Sequence, residues 1–311
     1  MQSPSVPETK PKLWSGLLLV ISGAVLLSAK GILSKLLYAE GLDFQEVITI
    51  RSVLSLPLFW LYGIYIIGLP QLIKVDGLGL LGAVAAGFFC YFIGGSLDFY
   101  ALTLIDASLE RVLLYTYPAL IVLIMAVLKR RFPPLSVICA VVMTYVGILL
   151  AIGIFDVALW QANSFGALMV LICAVTYAGY FFANDLVGNR IGSIVFTIYA
   201  MTAATLALII HYSLDHSVSE LALSPRAWWL FLIMIVFVTV VPLFMMAEGV
   251  KQIGAQRAGL LSTVGPASTI ILAAIFLEEG MRWFQYTGVV VTLIGILILE
   301  WQQKRAVPVS D

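Results

Sequence analysis

The sequence predicts an all-α polytopic membrane protein whose ten transmembrane helices form two inverted repeats of five helices each. Hydrophobic residues make up 62% of the 311 residues and charged residues only 11%, and the mean hydropathy is +1.06. A chain with so little charge cannot cover itself with a wettable surface, so lipid is its predicted solvent. Residues 141–149 and 289–297 share six of nine positions at a spacing of 148, which indicates an internal duplication.

Ten apolar stretches are long enough to cross the hydrocarbon core of a bilayer. Backbone amides in hydrocarbon must bond within their own segment, so each stretch is predicted to be a helix. The ten stretches are residues 14–37, 45–68, 76–100, 107–128, 135–154, 164–187, 193–212, 227–249, 255–277 and 282–301. The predicted organisation is a disordered cytoplasmic tail at 1–13, the first repeat at 14–154, the second repeat at 164–301 and a second cytoplasmic tail at 302–311.

The basic residues predict the orientation of these spans, because Lys and Arg concentrate in cytoplasmic loops. With the N-terminus inside, eleven of the 17 basic residues fall on the cytoplasmic side, and six fall on the outer side or within the spans. The duplication also aligns Lys129–Arg131 with Leu277–Glu279, a reversal of charge that is expected of an inverted second repeat. Both termini are therefore expected in the cytoplasm, and the short loops favour a bacterial inner membrane.

Several functional classes lack their motifs in this chain. Cys90, Cys139 and Cys173 lie in apolar runs without CxxC spacing, so neither a disulfide framework nor a zinc site is predicted. There is no GxxxxGK[ST] loop for ATP, no HExxH or GxSxG for hydrolysis and no basic tract for nucleic acid. We therefore expect no enzyme activity, no metal and no cofactor.

Two equivalent passages carry a family resemblance. Residues 101–131 contain small residues, a proline, an apolar helix and a charged end, and residues 255–279 repeat this order. With the duplicated five-helix unit, they resemble the drug/metabolite transporter superfamily in its ten-helix EamA-type branch, over about residues 14–301. Arg51 also matches a frequent arginine of that family. One difference is that the family often places Glu at the end of the fourth span, where this chain has three basic residues.

The resemblance implies a secondary transporter that works by alternating access, with a substrate chamber between the repeats lined by spans 1, 3, 4, 6, 8 and 9. The solute is expected to be a small polar or amphipathic metabolite, with amino acids or related carboxylates as the first choice and export as the direction. Two alternatives remain: a multidrug or nucleotide-sugar carrier of the same fold, and a non-transporting polytopic membrane enzyme or scaffold. Membrane lipid is the other expected partner, and oligomeric state leaves no signal in the sequence.

Five charged residues fall in the predicted outer half of the first repeat, where a charge inside a span is costly. They are Lys30, Arg51, Asp98, Glu110 and Arg111. Lys30 is the most deeply placed cation, so we expect it to pair either with the carboxylate of a solute or with Asp98. Asp98, Glu110 and Arg111 are further candidates for the substrate site. The alternative for Arg51, Asp98 and Arg111 is a salt-bridged network that never meets a solute.

Aromatic and amide side chains form the second group of candidate substrate-binding residues. Tyr177, Tyr180 and Asn184 recur at spacings of three and four, so they share one face of the sixth predicted span. Facing a chamber, they would offer flat apolar walls with polar ends, and Tyr91 and Tyr115 would do the same from spans three and four. Packing against neighbouring helices is the simpler alternative for all of them.

Two prolines and one carboxylate are candidates for gating. Pro118 and Pro266 each free a backbone carbonyl within a span, which permits either a hinge or a static kink. Glu248 is expected to be a gate carboxylate paired with Lys251 or Arg257, or else an interfacial charge. Two driving modes are open: proton exchange through Asp98, Glu110 or Glu248, and passive facilitation.

Overall fold

The computed structural model of the chain describes residues 13–130, 133–216, 223–262 and 264–306. These residues form sixteen α-helices and three π-helical segments, with no strand among them. The first half comprises α1 (Leu13–Ser28), α2 (Lys30–Ala39), α3 (Phe44–Ile67), α4 (Leu69–Ile73), α5 (Gly77–Ala86), π1 (Gly87–Gly94), α6 (Gly95–Ala101), α7 (Ala107–Leu114), α8 (Tyr117–Lys129) and α9 (Leu135–Ile152). The second half comprises α10 (Val157–Ala183), π2 (Asn184–Gly188), α11 (Asn189–Ile191), α12 (Ser193–Asp215), α13 (Pro225–Ile233), π3 (Met234–Val240), α14 (Val241–Ser262), α15 (Val264–Phe276) and α16 (Trp283–Ala306).

Each predicted span corresponds to one helix or to a row of consecutive helices. Five spans are rows of consecutive helices: α1–α2 forms span one, α5–π1–α6 span three, α7–α8 span four, α10–π2 span six and α13–π3–α14 span eight. Seven continuous stretches within the described residues are long and apolar enough to cross a membrane, and the apolar helices of spans nine and ten are shorter. The predicted all-α polytopic fold is therefore confirmed.

The fifth and tenth spans, α9 and α16, show how the two halves are related. They run antiparallel and approach closely at glycines, with Gly147 against Thr292 and Gly295 against Thr144. Each residue pair maps onto the other under the 148-residue shift, so every contact has its counterpart in the other half. Such reciprocity is the property of a two-fold axis, and small residues let the two backbones meet. Because equivalent helices point in opposite directions, the second repeat is inverted.

The predicted connection between the eighth and ninth spans is wrong. The sequence predicts a break at 250–254, but α14 continues to Ser262 and α15 begins at Val264. The physical reason is that hydropathy marks where a segment leaves the hydrocarbon, which differs from where its helix ends. Residues 250–262 contain no proline and several strong helix formers, so the helix persists through the polar stretch.

The first helix of the second half is longer than its predicted span. Helix α10 starts at Val157, ahead of the predicted span start at 164. The Asp156 carboxylate accepts hydrogen bonds from the amides of Ala158 and Leu159 at 3.0 and 3.2 Å, which caps the first turn. A local capping signal therefore sets this boundary, and hydrophobicity does not.

Two helix breaks position the residues of the candidate site. The first lies at Ala29, between α1 and α2, so that Lys30 is the first residue of α2. The second lies between α7 and α8, where Pro118 is one of the first residues of α8. Proline has no amide hydrogen, so the hydrogen-bond ladder of α7 cannot continue through this position.

Candidate functional site

Three helices of the first half bring Lys30, Asp98 and Glu110 together. Lys30 opens α2, Asp98 lies in α6 and Glu110 lies in α7. The Lys30 ammonium forms an ion pair with Asp98 Oδ2, and its Nζ lies 3.2 Å from Glu110 Oε1. Both carboxylates are buried, with 5% and 0% of their surface exposed. Lys30 therefore pairs with Asp98, one of its two expected partners, and with Glu110 as well.

The second oxygen of each carboxylate has no donor. Asp98 Oδ1 and Glu110 Oε2 are both buried without a hydrogen-bond partner among the described residues. Leaving a buried acceptor without a hydrogen bond costs free energy, and the cost is larger for a charged group. The ion cluster thus has hydrogen-bonding capacity that the described part of the protein does not use.

Arg51 and Arg111 adjoin this cluster but are held differently. The Arg51 Cζ atom lies 5.1 Å from the centre of the Phe99 ring, on which Lys30 Nζ also rests at 5.5 Å. The Arg111 Cζ atom lies 5.2 Å from the centre of the Tyr115 ring. Within the described part of the chain, neither guanidinium forms an ion pair and the Nε of each is buried without an acceptor. Aromatic faces therefore support both arginines, and the salt-bridged network considered for them is not observed there.

Tyr177 is the member of the sixth-span set that reaches the charges. It packs against a cluster of buried residues that includes residues of α7, the helix that carries Glu110 and Arg111. Its ring centre is 6.1 Å from that of Tyr117, which belongs to α8. A phenol can donate or accept a hydrogen bond, so this position suits a residue that orients a polar solute.

Tyr91, Tyr180 and Asn184 form a separate group of uncharged residues. The rings of Tyr91 and Tyr180 make an edge contact with centres 5.0 Å apart, and the Tyr180 hydroxyl is hydrogen-bonded to Thr197 Oγ1 at 2.9 Å. Asn184 is the first residue of π2, and its Oδ1 is buried without a donor among the described residues. These contacts of Tyr180 are packing contacts with neighbouring helices, which was the simpler alternative to lining a chamber.

Tyr115 connects the site to a proline of the other half. Its hydroxyl donates a hydrogen bond to the carbonyl of Ser262 at 3.1 Å. Ser262 precedes Pro266 by four residues, so this is the carbonyl that the proline leaves without an amide partner. A side chain of the first half therefore binds this carbonyl. Both prolines lie in the first turn of a helix, Pro118 in α8 and Pro266 in α15, where a proline disturbs the hydrogen-bond ladder of that helix least.

Glu248 lies on the exposed side of α14. Its Oε1 accepts a hydrogen bond from Gln252 Nε2 at 3.0 Å. The side chains of Lys251 and Arg257, which were its expected partners, lie outside the part of the chain that the structure describes.

A second charged cluster, which the sequence does not reveal, surrounds Glu279. The Glu279 carboxylate accepts hydrogen bonds from the amides of Ala107 and Ser108 at 2.9 and 3.2 Å and from the Ser108 hydroxyl at 2.9 Å. Lys35 Nζ lies 3.4 Å from the same carboxylate. The N-cap residue of α7, Asp106, makes no capping hydrogen bond, so α7 is capped from the other half of the molecule.

Asp106 lies in the connection between α6 and α7, outside the spans, and its Oδ1 is 3.8 Å from Lys35 Nζ. Partial burial raises the pKa of this carboxyl, and the negative charge of Glu279 raises it further. Asp106 therefore ionises at a higher pH than an ordinary aspartate. The only signal in the sequence was that Glu279 aligns with a basic residue, which marks the position without naming its partners.

Comparison with known proteins agrees with this architecture. Both halves of the chain match the EamA-like transporter family, over residues 14–153 and 164–301. The chain belongs to this family. It is 34% identical over 296 residues to the uncharacterized transporter YcbK of Bacillus subtilis (strain 168), covering 94% of each chain. It is 24% identical over 184 residues to the uncharacterized transporter YetK of the same organism, covering 54% of each chain.

One solved crystal structure supports the same fold for this EamA-like protein. The two chains are 15% identical, and the match covers 94% of this chain and 99% of the other with a TM-score of 0.64. Family membership confirms an integral membrane transporter of a small-molecule solute, and it excludes the alternative of a membrane enzyme or scaffold. Within the described residues, no group of three or more His, Cys, Asp or Glu could hold a metal ion.

Proposed function

We propose that this EamA-like transporter moves small polar or amphipathic metabolites, foremost amino acids or related carboxylates, by alternating access and in the direction of export. The observation that carries the proposal is the buried ion cluster of Lys30, Asp98 and Glu110, at the meeting point of three helices. Charges inside a membrane span are costly and are kept where they serve a solute or an ion. A charged metabolite matches such a cluster better than an apolar drug does.

The cluster adjoins the second half of the molecule, which suits a site that opens alternately to each side. Helix α10, which carries Tyr177, packs against α6 and α7, the helices that carry Asp98 and Glu110. Residues 14–154 and 164–301 are the two units that we propose to rock against each other around it, with Pro118 and Pro266 at the bends and Glu248 at a gate. Inverted repeats around a midplane site are the usual basis of alternating access.

The tyrosines would form the walls of the same chamber. In this proposal Tyr115 and Tyr177 contact the solute next to the charges, and Tyr91, Tyr180 and Asn184 extend the wall. Tyr180→Phe removes only the hydroxyl that bonds Thr197, so transport should persist. Tyr180→Ala should change which solutes compete for transport. An unchanged competition profile in a stable Tyr180→Ala variant would remove this extension from the site.

Counterflow of radiolabelled solutes in proteoliposomes tests the central proposal. Saturable exchange is expected for amino acids and related carboxylates, and much weaker exchange for nucleotide sugars and cationic drugs. No exchange of any carboxylate would overturn it. The same vesicles with an imposed pH gradient decide the driving mode, since a gradient that drives net uptake indicates proton exchange and one without effect indicates passive facilitation.

The proposed location is a bacterial inner membrane with both termini in the cytoplasm. Gly77 and Gly280 provide a matched pair of labelling sites, because a β-carbon at either position meets nothing within 4 Å. In a variant without its native cysteines, Gly280→Cys should react with an impermeant thiol reagent in intact cells, and Gly77→Cys should react only after permeabilisation. The reverse pattern would contradict the orientation.

A further inference from the structure

We infer that Arg111 and Arg51, and not Lys30, bind the carboxylate of the solute, and that the preferred solutes carry a net charge of −1. This inference rests on the proposed function, because it names the charge class and the binding residues of the same site. It follows from which cations still have unused hydrogen-bond donors and from the balance of charge around them.

Lys30 is already occupied. Its ammonium group has three donor hydrogens, and two of them are directed to Asp98 and Glu110. Binding a solute carboxylate at Lys30 would bring a third anion against two buried carboxylates, which the repulsion between like charges opposes. The lysine therefore acts as the counter-ion of these two acidic residues inside the bundle.

The arginines, by contrast, have donors without acceptors. Arg111 is 9% exposed, its Nε has no partner among the described residues, and its guanidinium rests on the ring of Tyr115. Arg51 has the same kind of unpartnered Nε and rests on Phe99. The planar guanidinium presents paired donors that match a carboxylate, and burial makes such charge-assisted bonds stronger.

Both arginines face a common neighbour. Arg51 rests on Phe99 of α6 and Arg111 belongs to α7, and α10, which carries Tyr177, packs against both of these helices. A solute placed beside Tyr177 is therefore close to both unused donor groups. The tyrosine predicted to line the chamber is then the residue around which the carboxylate is held.

The balance of charge selects the net charge of the solute. Lys30, Arg51 and Arg111 outnumber Asp98 and Glu110, so the cluster carries at least one excess positive charge, whichever of the two carboxyl groups are ionised. The nearby Lys35 does not alter this count, since it is paired in the cluster around Glu279. A solute of net charge −1 lowers the buried excess, whereas a neutral zwitterion leaves it in place.

The unused acceptors complete the match. Asp98 Oδ1 and Glu110 Oε2 can accept hydrogen bonds from an ammonium or hydroxyl group of the same solute. An acidic amino acid or a 2-hydroxy acid supplies a carboxylate, such a donor and a net charge of −1. These two kinds of carboxylate are therefore the expected substrates.

Isosteric competitors test the inference by counterflow in proteoliposomes. Glutamate and glutamine differ in net charge at nearly constant shape, and so do lactate and alanine. In the wild type, the anionic member of each pair should inhibit at a concentration about tenfold lower, as expected for one additional charge-assisted interaction. Arg111→Gln should abolish this preference and raise the half-saturation concentration of the anion more than it lowers the maximal rate.

Arg282→Gln is the matched control, since Arg282 is largely exposed and pairs with Asp156 away from the cluster. It should keep the wild-type preference. A monodisperse Arg111→Gln protein that still prefers glutamate over glutamine as the wild type does would overturn the inference while leaving the proposed function intact. If Arg111→Gln does not fold, Arg51→Gln decides by the same ratio. A wild type that exchanges no carboxylate would instead overturn the proposed function.

Discussion

Lys30 and Lys35 lie five residues apart on α2, and each sits between two carboxylates, but the two clusters are built differently. Both partners of Lys30 come from the first repeat, and each keeps one buried oxygen without a donor in the described residues. The buried partner of Lys35, Glu279, comes from the second repeat, and both of its oxygens are hydrogen-bonded to α7.

The difference separates a contact between the repeats from the proposed binding site. Both carboxylate oxygens of Glu279 accept hydrogen bonds from the protein itself. This cluster therefore stabilises the contact between the repeats and needs no ligand. Around Lys30 the protein holds charges in place and leaves donors and acceptors unused. Buried polar groups that stay unsatisfied are costly, and they are tolerated where a solute supplies the missing partner.

The largest effect is expected from Lys30→Met, which keeps the length of the side chain and removes its charge. Asp98 and Glu110 would then be buried without their counter-ion, a loss of about 3–5 kcal/mol in stability. The unfolding temperature in detergent should fall sharply and counterflow should cease. Neutralising the two acids as well, with Asp98→Asn and Glu110→Gln, should restore the unfolding temperature but not transport. A Lys30→Met protein as stable and active as the wild type would break the comparison.

Glu279→Gln should have the next largest effect. The amide can accept hydrogen bonds from α7 with only one oxygen, and the pairing with Lys35 is lost, so stability should fall by about 1.5–3 kcal/mol. Glu278→Gln is the control, because Glu278 is exposed next to it. The unfolding temperature should drop for the first variant only, with the preference among competing solutes unchanged in both. A changed preference would mean that Glu279 belongs to the binding site.

Lys35→Met should cost much less than the same substitution at Lys30. Glu279 would keep its three hydrogen bonds to α7, and Lys35 is a partly exposed residue at 3.4 Å from it, so about 1 kcal/mol or less should be lost. The two Lys→Met unfolding temperatures, measured side by side, give the sharpest test of the comparison. Equal losses would show that the two clusters have the same role.

The smallest effect concerns Asp106. Its pKa is raised in the folded state, so the folded protein holds this proton more tightly and stability falls as pH rises through the range between the unfolded and folded values. Asp106→Asn removes that decline. The variant should be stabilised by only about a few tenths of a kcal/mol above that range, because the group is half exposed, and the gain should vanish in acid. Unfolding temperatures at pH 4 and pH 7 measure this difference, and a gain that grew in acid would contradict the sign.

The fold could be predicted from sequence because lipid enforces it. Ten apolar stretches must each be helical, and the shared residues at 141–149 and 289–297 reveal the two repeats. The antiparallel pairing of α9 with α16 then follows from inversion. Helix ends were less predictable, as at Ser262 and Val157, because caps and helix propensity act beyond the hydrocarbon, where hydropathy carries no information.

The site was predictable only in part. Position along a span gives the depth of a residue, so Lys30, Asp98 and Glu110 could be placed at a similar level. Depth does not give the direction in which each side chain points. The sequence therefore did not show that Arg51 and Arg111 rest on aromatic rings and make no ion pair with the carboxylates in the described residues. Glu279 bonds to α7 across more than half of the chain, and only folding brings the two together.

The π-helical segments π1 and π3 lie in equivalent spans of the two halves. A shift of 148 places π1, Gly87–Gly94, over positions 235–242, which overlap π3, Met234–Val240. The wider winding is therefore a feature that the two halves share at equivalent positions. Deleting one residue from either segment would turn everything beyond it by about 100° around the helix axis. A deletion in one half alone would turn the rest of its span away from the other half, so the two halves require the same irregular turn.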